Sequence, residues 1–129
     1  MSFPPLSDNH RRLIVEAGMG NDLYGEDYTK AALRAVQDAL HHSSLVLYRS
    51  LELDSALMQV RVTIGVAKPE EVDCDRVAES LPRGQASVIT VPGGLNVDDH
   101  ENGTTTVIAT AAVEAFYPMD QVPWQVTSP

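Results

Sequence analysis

Hydrophobic and polar positions alternate most cleanly between Leu57 and Val66. Met58, Val60, Val62, Ile64 and Val66 are apolar, and Gln59, Arg61, Thr63 and Gly65 fall between them. A period of two puts the first set on one face of a β-strand and the second on the other. Between Asp27 and about His42 the period becomes that of a helix. Leu33, Val36 and Leu40 recur at i, i+3 and i+7, with Ala32, Ala35 and Ala39 beside them and Lys30, Arg34 and Asp38 on the opposite stripe. Glu26 and Asp27 at the start, and His41-His42 at the end, suit the helix dipole. The alanine edge is narrow enough for close packing on a sheet or a second helix.

The remaining elements are shorter. Leu13 to Ala17 predicts a first strand after a polar arm carrying Pro4-Pro5, and Gly18 to Gly25 predicts a loop. Ser43-Ser44 ends the helix, and Leu45 to Leu53 reads equally as a short strand or a connection. After the break at Lys68-Pro69-Glu70-Glu71, Asp73 is placed to cap a short helix running through Leu81, with Val77 and Leu81 inward. Pro82-Arg83-Gly84 terminates it. Ala86 to Val91 predicts a third strand, closed by Pro92-Gly93-Gly94. Asp98 to Gly103 reads as a polar hairpin turn, since Asn-Gly is a favoured turn dipeptide. Thr104 to Phe116 predicts a long fourth strand, apolar on both faces and hence covered on both.

The order β-α-β-α-β-β predicts an α+β fold: a mixed four-stranded sheet with both helices on one face. It forms one domain over residues 1–117, with a flexible arm over 1–11 and a Pro-rich tail over 118–129 that holds Trp124. The second sheet face then lacks cover from this chain. That predicts a homo-oligomer, with Trp124 docking on its own or a neighbouring subunit.

Composition narrows the partners. A chain of 129 residues suits one domain. Nine Lys and Arg against eighteen Asp and Glu leave a net charge of −9, which disfavours a nucleic-acid backbone or an anionic membrane. No run approaches the roughly 20 apolar residues that span a bilayer, and residues 1–12 lack the apolar core of a signal peptide. Cys74, the single cysteine, lies between Asp73 and Asp75, which raise a thiol pKa. An inert thiol and a cytoplasmic setting follow.

The informative stretch runs from Glu16 to Gly25, between a strand and a helix. It misses the dinucleotide fingerprint G-x-G-x-x-G, because Leu23 stands at the third glycine position. Asp22, Glu26 and Asp27 also crowd a helix start where phosphate would bind. Two compatible readings remain. In one, the glycines permit positive φ in a tight turn while Asp22 bonds backbone amides. In the other, they let a small ligand approach the backbone, with Asp22 and Tyr24 facing it. Elsewhere, His10, His41, His42 and His100 have no metal-ligand spacing, so no metal site is predicted. Asp98 to Glu101 reads as a solvated hairpin tip, and Ser43, Ser44 and Ser87 lie in no nucleophile elbow. Arg61 and Arg83 are candidate carboxylate anchors. Glu114, in an apolar strand, needs a cationic partner such as Arg61 or Lys30.

The pattern Gly18-x-Gly20-x-Asp22-x-Tyr24-Gly25, followed by Thr29-Lys30-Ala31-Ala32, resembles the G-x-G-x-D-x-H-G signature of a Lin-type family of conserved hypothetical proteins from bacteria and plants. The resemblance spans about residues 12 to 116 and takes in the Gly93-Gly94 loop. Tyr24 stands where the family has His. A Tyr at that position can donate a hydrogen bond, and a metal-ligand or acid–base role of the family's His is not carried over to it. The element order is also similar to that of the chorismate-mutase-like trimers and the reactive-imine deaminase family, whose sites lie between subunits. On these readings the expected function is an enzyme on a small polar metabolite, a hydrolase, lyase or isomerase without a cofactor. Asp22 or Glu16 would be its general base, Tyr24 a hydrogen-bond donor, and Lys30 or Arg61 an anion anchor. Gly18, Gly20, Gly25, Gly93 and Gly94 would line the pocket. The alternative is a non-catalytic oligomer that binds a metabolite or docks a protein.

Overall fold

A computed structural model describes residues 1–41, 53–82 and 84–122. The tail with Trp124, the segment holding His42, Ser43 and Ser44, and Arg83 lie outside the described residues. Five strands form one mixed sheet. They are β1 (His10–Asp22), β2 (Gln59–Val66), β3 (Gln85–Pro92), β4 (Leu95–Asp99) and β5 (Thr104–Pro118). The order is β1-β5-β2-β3, with β4 also paired to β5. Among the described residues, two α-helices, α1 (Tyr28–His41) and α2 (Cys74–Glu79), share one face. The class is α+β, with the sheet one strand larger than the sequence reading. The added strand is β4, whose polar Asn96, Asp98 and Asp99 obscure its alternation.

Strand β5 is the axis of the sheet. It is antiparallel to β1, β2 and β4, whereas β2 and β3 are parallel. Its odd-numbered residues Val107, Ala109, Ala111, Val113, Ala115 and Tyr117 are all buried beneath the helices. Val60, Val62, Ile64 and Val66 of β2 join them, as the alternation predicts, and Met58 lies beside them. Each such aliphatic side chain contributes about 1.5–3 kcal/mol by leaving water.

Helix α1 begins at an Asp27 N-cap, whose Oδ1 accepts the Lys30 amide at 3.0 Å. Its buried stripe is alanine-rich: Ala31, Ala32, Ala35, Val36 and Ala39, with Leu33 and Leu40 on the flanks. That narrow stripe lies on Gly18 and Gly20 of β1. A Cβ on Gly18 would come within 2.3 Å of the Ala39 amide nitrogen, and one on Gly20 within 2.4 Å of the Ala35 nitrogen. The two glycines therefore belong to the strand, which runs on to Asp22 instead of ending at Ala17. They replace side chains that the helix backbone excludes. Helix α2 is capped as expected, with Asp73 Oδ1 accepting the Arg76 amide at 3.2 Å.

The even face of β5 lies on the side away from the helices and is only partly covered. There Val15, Met19, Val91, Leu95 and Val97 are exposed. The N-terminal arm crosses part of this face. Arg61 donates to the Pro4 carbonyl at 2.7 Å, and its guanidinium lies between the rings of Phe3 and Phe116, 5.1 and 5.2 Å from their centroids. The arm is two residues shorter than expected, because His10 and Arg11 enter β1. No helix of the described residues is long and apolar enough to cross a membrane.

Candidate functional site

Strand β1 delivers Asp22 to the end of α1, and the chain then turns through residues 23–27. Asp22 is 6% exposed. Its Oδ2 accepts the Gly25 amide at 3.1 Å and the Asp27 amide at 3.0 Å. A Cβ on Gly25 would sit 2.9 Å from that same oxygen, so the turn closes around the carboxylate only with glycine there. Glu26 takes a φ of 49°, a left-handed conformation that costs an L-residue roughly 1 kcal/mol. The positive φ in this turn thus falls on Glu26 and not on Gly18, Gly20 or Gly25.

The other carboxylate oxygen, Oδ1, faces two cations. Lys30 Nζ is 4.0 Å away and Arg34 Nη1 is 3.8 Å away. Both come from the first two turns of α1, four residues apart on one helix face. Arg34 Nη1 also donates to the Asn21 carbonyl at 2.6 Å. Asp22, Leu23, Tyr24, Gly25, Asp27, Lys30 and Arg34 line a cleft of about 410 Å³, within the range of small-molecule sites. Its ionised lining balances: Asp22 and Asp27 against Lys30 and Arg34. Tyr24, 77% exposed, stands at the mouth.

The structure brings together Asp22, Tyr24, Gly25 and Lys30 among the predicted site residues. It separates the rest. Glu16 lies on the same strand face as Asp22 but six residues away, roughly 20 Å along the strand. Gly18 and Gly20 are packed under α1, and neither lines the Asp22 cleft. Arg61 is on the opposite sheet face, held by the arm. Gly93 and Gly94 form the step by which the chain leaves β3 and enters line with β2. Gly93 donates to the Val66 carbonyl at 2.9 Å. Gly94 has a φ of 63°, and a Cβ there would lie 2.2 Å from the Ile108 carbonyl oxygen. Crowded backbone alone is enough to require glycine at this pair. Glu114 pairs with Arg12 at 3.1 Å, and not with Arg61 or Lys30.

Arg34 is the cleft residue that the sequence reading left on the solvated stripe. Its i, i+4 relation to Lys30, one turn past the Asp22 loop, was the available signal. Asn96 is another addition. It registers against Val107 from one side while Asp22 does so from the other. It donates to the Tyr28 hydroxyl at 2.8 Å, and its Oδ1 is buried without a partner among the described residues.

Burial, reinforced by Asp75 and then Asp73, pushes the Cys74 thiol above its ordinary pKa, against a hydrogen bond from Thr90. That is the environment of an inert thiol. His100 sits in the β4–β5 hairpin turn. There the Asn102 side-chain amide donates to Asp99 Oδ2 at 2.7 Å and the Asn102 and Glu101 backbone amides donate to Oδ1, and these bonds, the side-chain one foremost, hold its carboxyl below the usual range.

Residues 12–115 match the model of a family described as a conserved hypothetical protein family, Lin0512. Among solved structures, the chain is similar to a crystal structure of an FtsZ-like protein of unknown function from Nostoc punctiforme. The two are 32% identical, with a TM-score of 0.73, and the match covers 84% of this chain and 97% of that one. No curated protein matches the chain.

Proposed function

We propose that this chain, which belongs to the conserved hypothetical Lin0512 family, is a non-catalytic binding module for a small polar metabolite of balanced charge. One observation carries the reading. Lys30 and Arg34 converge on a single oxygen of Asp22 at 4.0 and 3.8 Å, inside a cleft of about 410 Å³. At those distances both cations keep donors for a ligand, and the acids opposite them balance its charge. A zwitterion or a cyclic amide fits such a lining better than a phosphate does. Tyr24 supplies a hydroxyl at the mouth. A hydrolase, lyase or isomerase would have to use Asp22 Oδ1 as its base, since Oδ2 accepts two backbone amides and Glu16 lies far along the strand. One reduced cysteine suits a cytoplasmic setting.

The test is a thermal-shift screen of free amino acids and small cyclic amides, repeated on Tyr24→Phe and Lys30→Ala. A ligand present at a hundredfold excess over its Kd stabilises by about 2.7 kcal/mol, roughly 10 °C in a domain of this size. We expect at least one such ligand, with the shift reduced in Tyr24→Phe and lost in Lys30→Ala. A full shift in both variants, or none with the parent protein, overturns the reading.

A second reading rests on the open sheet face. Its exposed Val15, Met19, Leu95 and Val97 favour a homo-oligomer, of which a trimer is the expected form. Met19→Lys should then dissociate that oligomer in sedimentation velocity, and an unchanged assembly counts against it.

A further inference from the structure

The turn between β1 and α1 holds two large apolar side chains in water. Leu23 is 47% exposed and Tyr24 77%, side by side at the rim of the Asp22 cleft. The turn is tied down around them. Asp22 Oδ2 accepts the Gly25 and Asp27 amides, and the Leu23 carbonyl accepts the Thr106 hydroxyl at 3.4 Å. The pair is thus presented to the cleft and not folded into the core. A single exposed apolar residue is ordinary, but two together beside a charged cleft offer a contact surface for an apolar group.

The charges lining the same cleft fall into two parts. Asp22 offsets one of the two cations that face it, so Lys30 and Arg34 leave one positive charge over. Arg34 commits Nη1 to the Asn21 carbonyl and keeps Nε and Nη2 for a ligand, and Lys30 Nζ stands 4.0 Å from Asp22 Oδ1, beyond hydrogen-bond distance. Asp27 is exposed and carries the opposite charge. Its Oδ1 caps the helix through the Lys30 amide at 3.0 Å, and its Oδ2 has no partner among the described residues. The cleft therefore offers one place for an anion and one for a cation, with the apolar pair beside them.

We infer that the cleft binds a free amino acid with an apolar side chain. The inference rests on the binding-module reading of the same cleft and names its ligand. Lys30 and Arg34 take the carboxylate, Asp27 the ammonium group, and Leu23 with the Tyr24 ring the side chain. Two charge arguments select a zwitterion. A molecule of net charge −9 repels a simple carboxylate at long range, and the Lys30–Arg34 pair repels a simple amine at short range. A zwitterion carries no net charge and meets neither cost. The exposed pair then selects among zwitterions. Glycine leaves Leu23 and Tyr24 in water, whereas a larger apolar side chain covers them. A cleft of about 410 Å³ is large enough for such a ligand.

Isothermal titration calorimetry tests it with L-phenylalanine, glycine, phenylpropionate, which lacks the ammonium group, and phenethylamine, which lacks the carboxylate. Far-UV circular dichroism confirms the fold of each variant. L-phenylalanine should bind at least about tenfold more tightly than each of the other probes. Leu23→Ser, at an exposed position, should weaken L-phenylalanine by about threefold or more and leave glycine unchanged. Asp27→Asn keeps an oxygen to cap the helix and removes the charge. It should weaken both amino acids and leave phenylpropionate no weaker. Glycine as tight as L-phenylalanine, or a cyclic amide that binds where L-phenylalanine does not, overturns the inference and leaves the binding-module reading standing. Phenylpropionate as tight as L-phenylalanine overturns it too, as does L-phenylalanine binding that Leu23→Ser and Asp27→Asn both leave unchanged. Silence from amino acids and cyclic amides alike overturns the inference and that reading together.

Discussion

Gly18 and Gly20 are the positions where one atom decides the packing. The helix backbone occupies the space a Cβ would need, at 2.3 and 2.4 Å. Neither glycine has a positive φ, so conformational strain plays no part. Gly18→Ala or Gly20→Ala therefore has to push α1 off β1. We expect a loss of about 3 kcal/mol or more in urea unfolding, at the upper end for overpacking. Met19→Ala, between them on the opposite face and 58% exposed, should change stability by less than about 0.5 kcal/mol. Equal effects at the three positions would refute the close-approach account. This is also where the sequence was least legible. Glycine fits a ligand loop, a turn or a helix contact equally well, and no local rule separates them. The separation comes from Ala35 and Ala39, which lie some twenty residues later and supply the backbone that needs the room. Asp22 was easier to read: a carboxylate just before a helix bonds backbone amides, and here it holds two.

At the scale of elements, alternation was a sound guide wherever one face is buried and the other polar. It located β2 within two residues and placed its inward side chains correctly. It understated β1, because glycines at alternate positions look like a loop while keeping the strand's period. It missed β4, a five-residue strand with Leu95 and Val97 in the open and polar residues between them. Edge protection could not be read from periodicity at all. Lys30, Arg34 and Asp38 form a stripe that a helical wheel assigns to solvent, yet Arg34 and Asp38 reach the backbone of β1. Asp38→Ala should leave the Met19 amide without its carboxylate. We expect a stability loss of about 1 kcal/mol and faster aggregation on mild heating, followed by light scattering. Asp38→Asn, which can still accept, should retain most of the parent behaviour. An Asp38→Ala protein that aggregates no faster would show that the helix does not protect this edge.

For the whole molecule, the helices cover one sheet face, and the arm crosses part of the other. That asymmetry was legible from element order alone: two helices on one side leave the second side bare. What could not be foreseen was that residues 1–6 come back across it. Phe3 and Pro4 meet Arg61 in the middle of the face, and Arg61 in turn lies over Phe116. A guanidinium between two rings contributes about 0.5–1 kcal/mol at an exposed site, or about 2 kcal/mol where water is excluded. The arm therefore holds only loosely, while it shields Phe116 and the neighbouring strands. Deleting residues 1–6 should leave the helical circular dichroism unchanged and lower the melting temperature by a few degrees. It should raise the fluorescence of a hydrophobic dye such as anilinonaphthalene sulfonate, because the apolar patch on the open face grows. Arg61→Ala in the full chain should reproduce much of that rise, since it removes the arm's anchor without shortening the chain. If the deletion and Arg61→Ala both bind dye no better than the parent, the arm does not cover this face in solution, and the exposed apolar surface is already at its full extent.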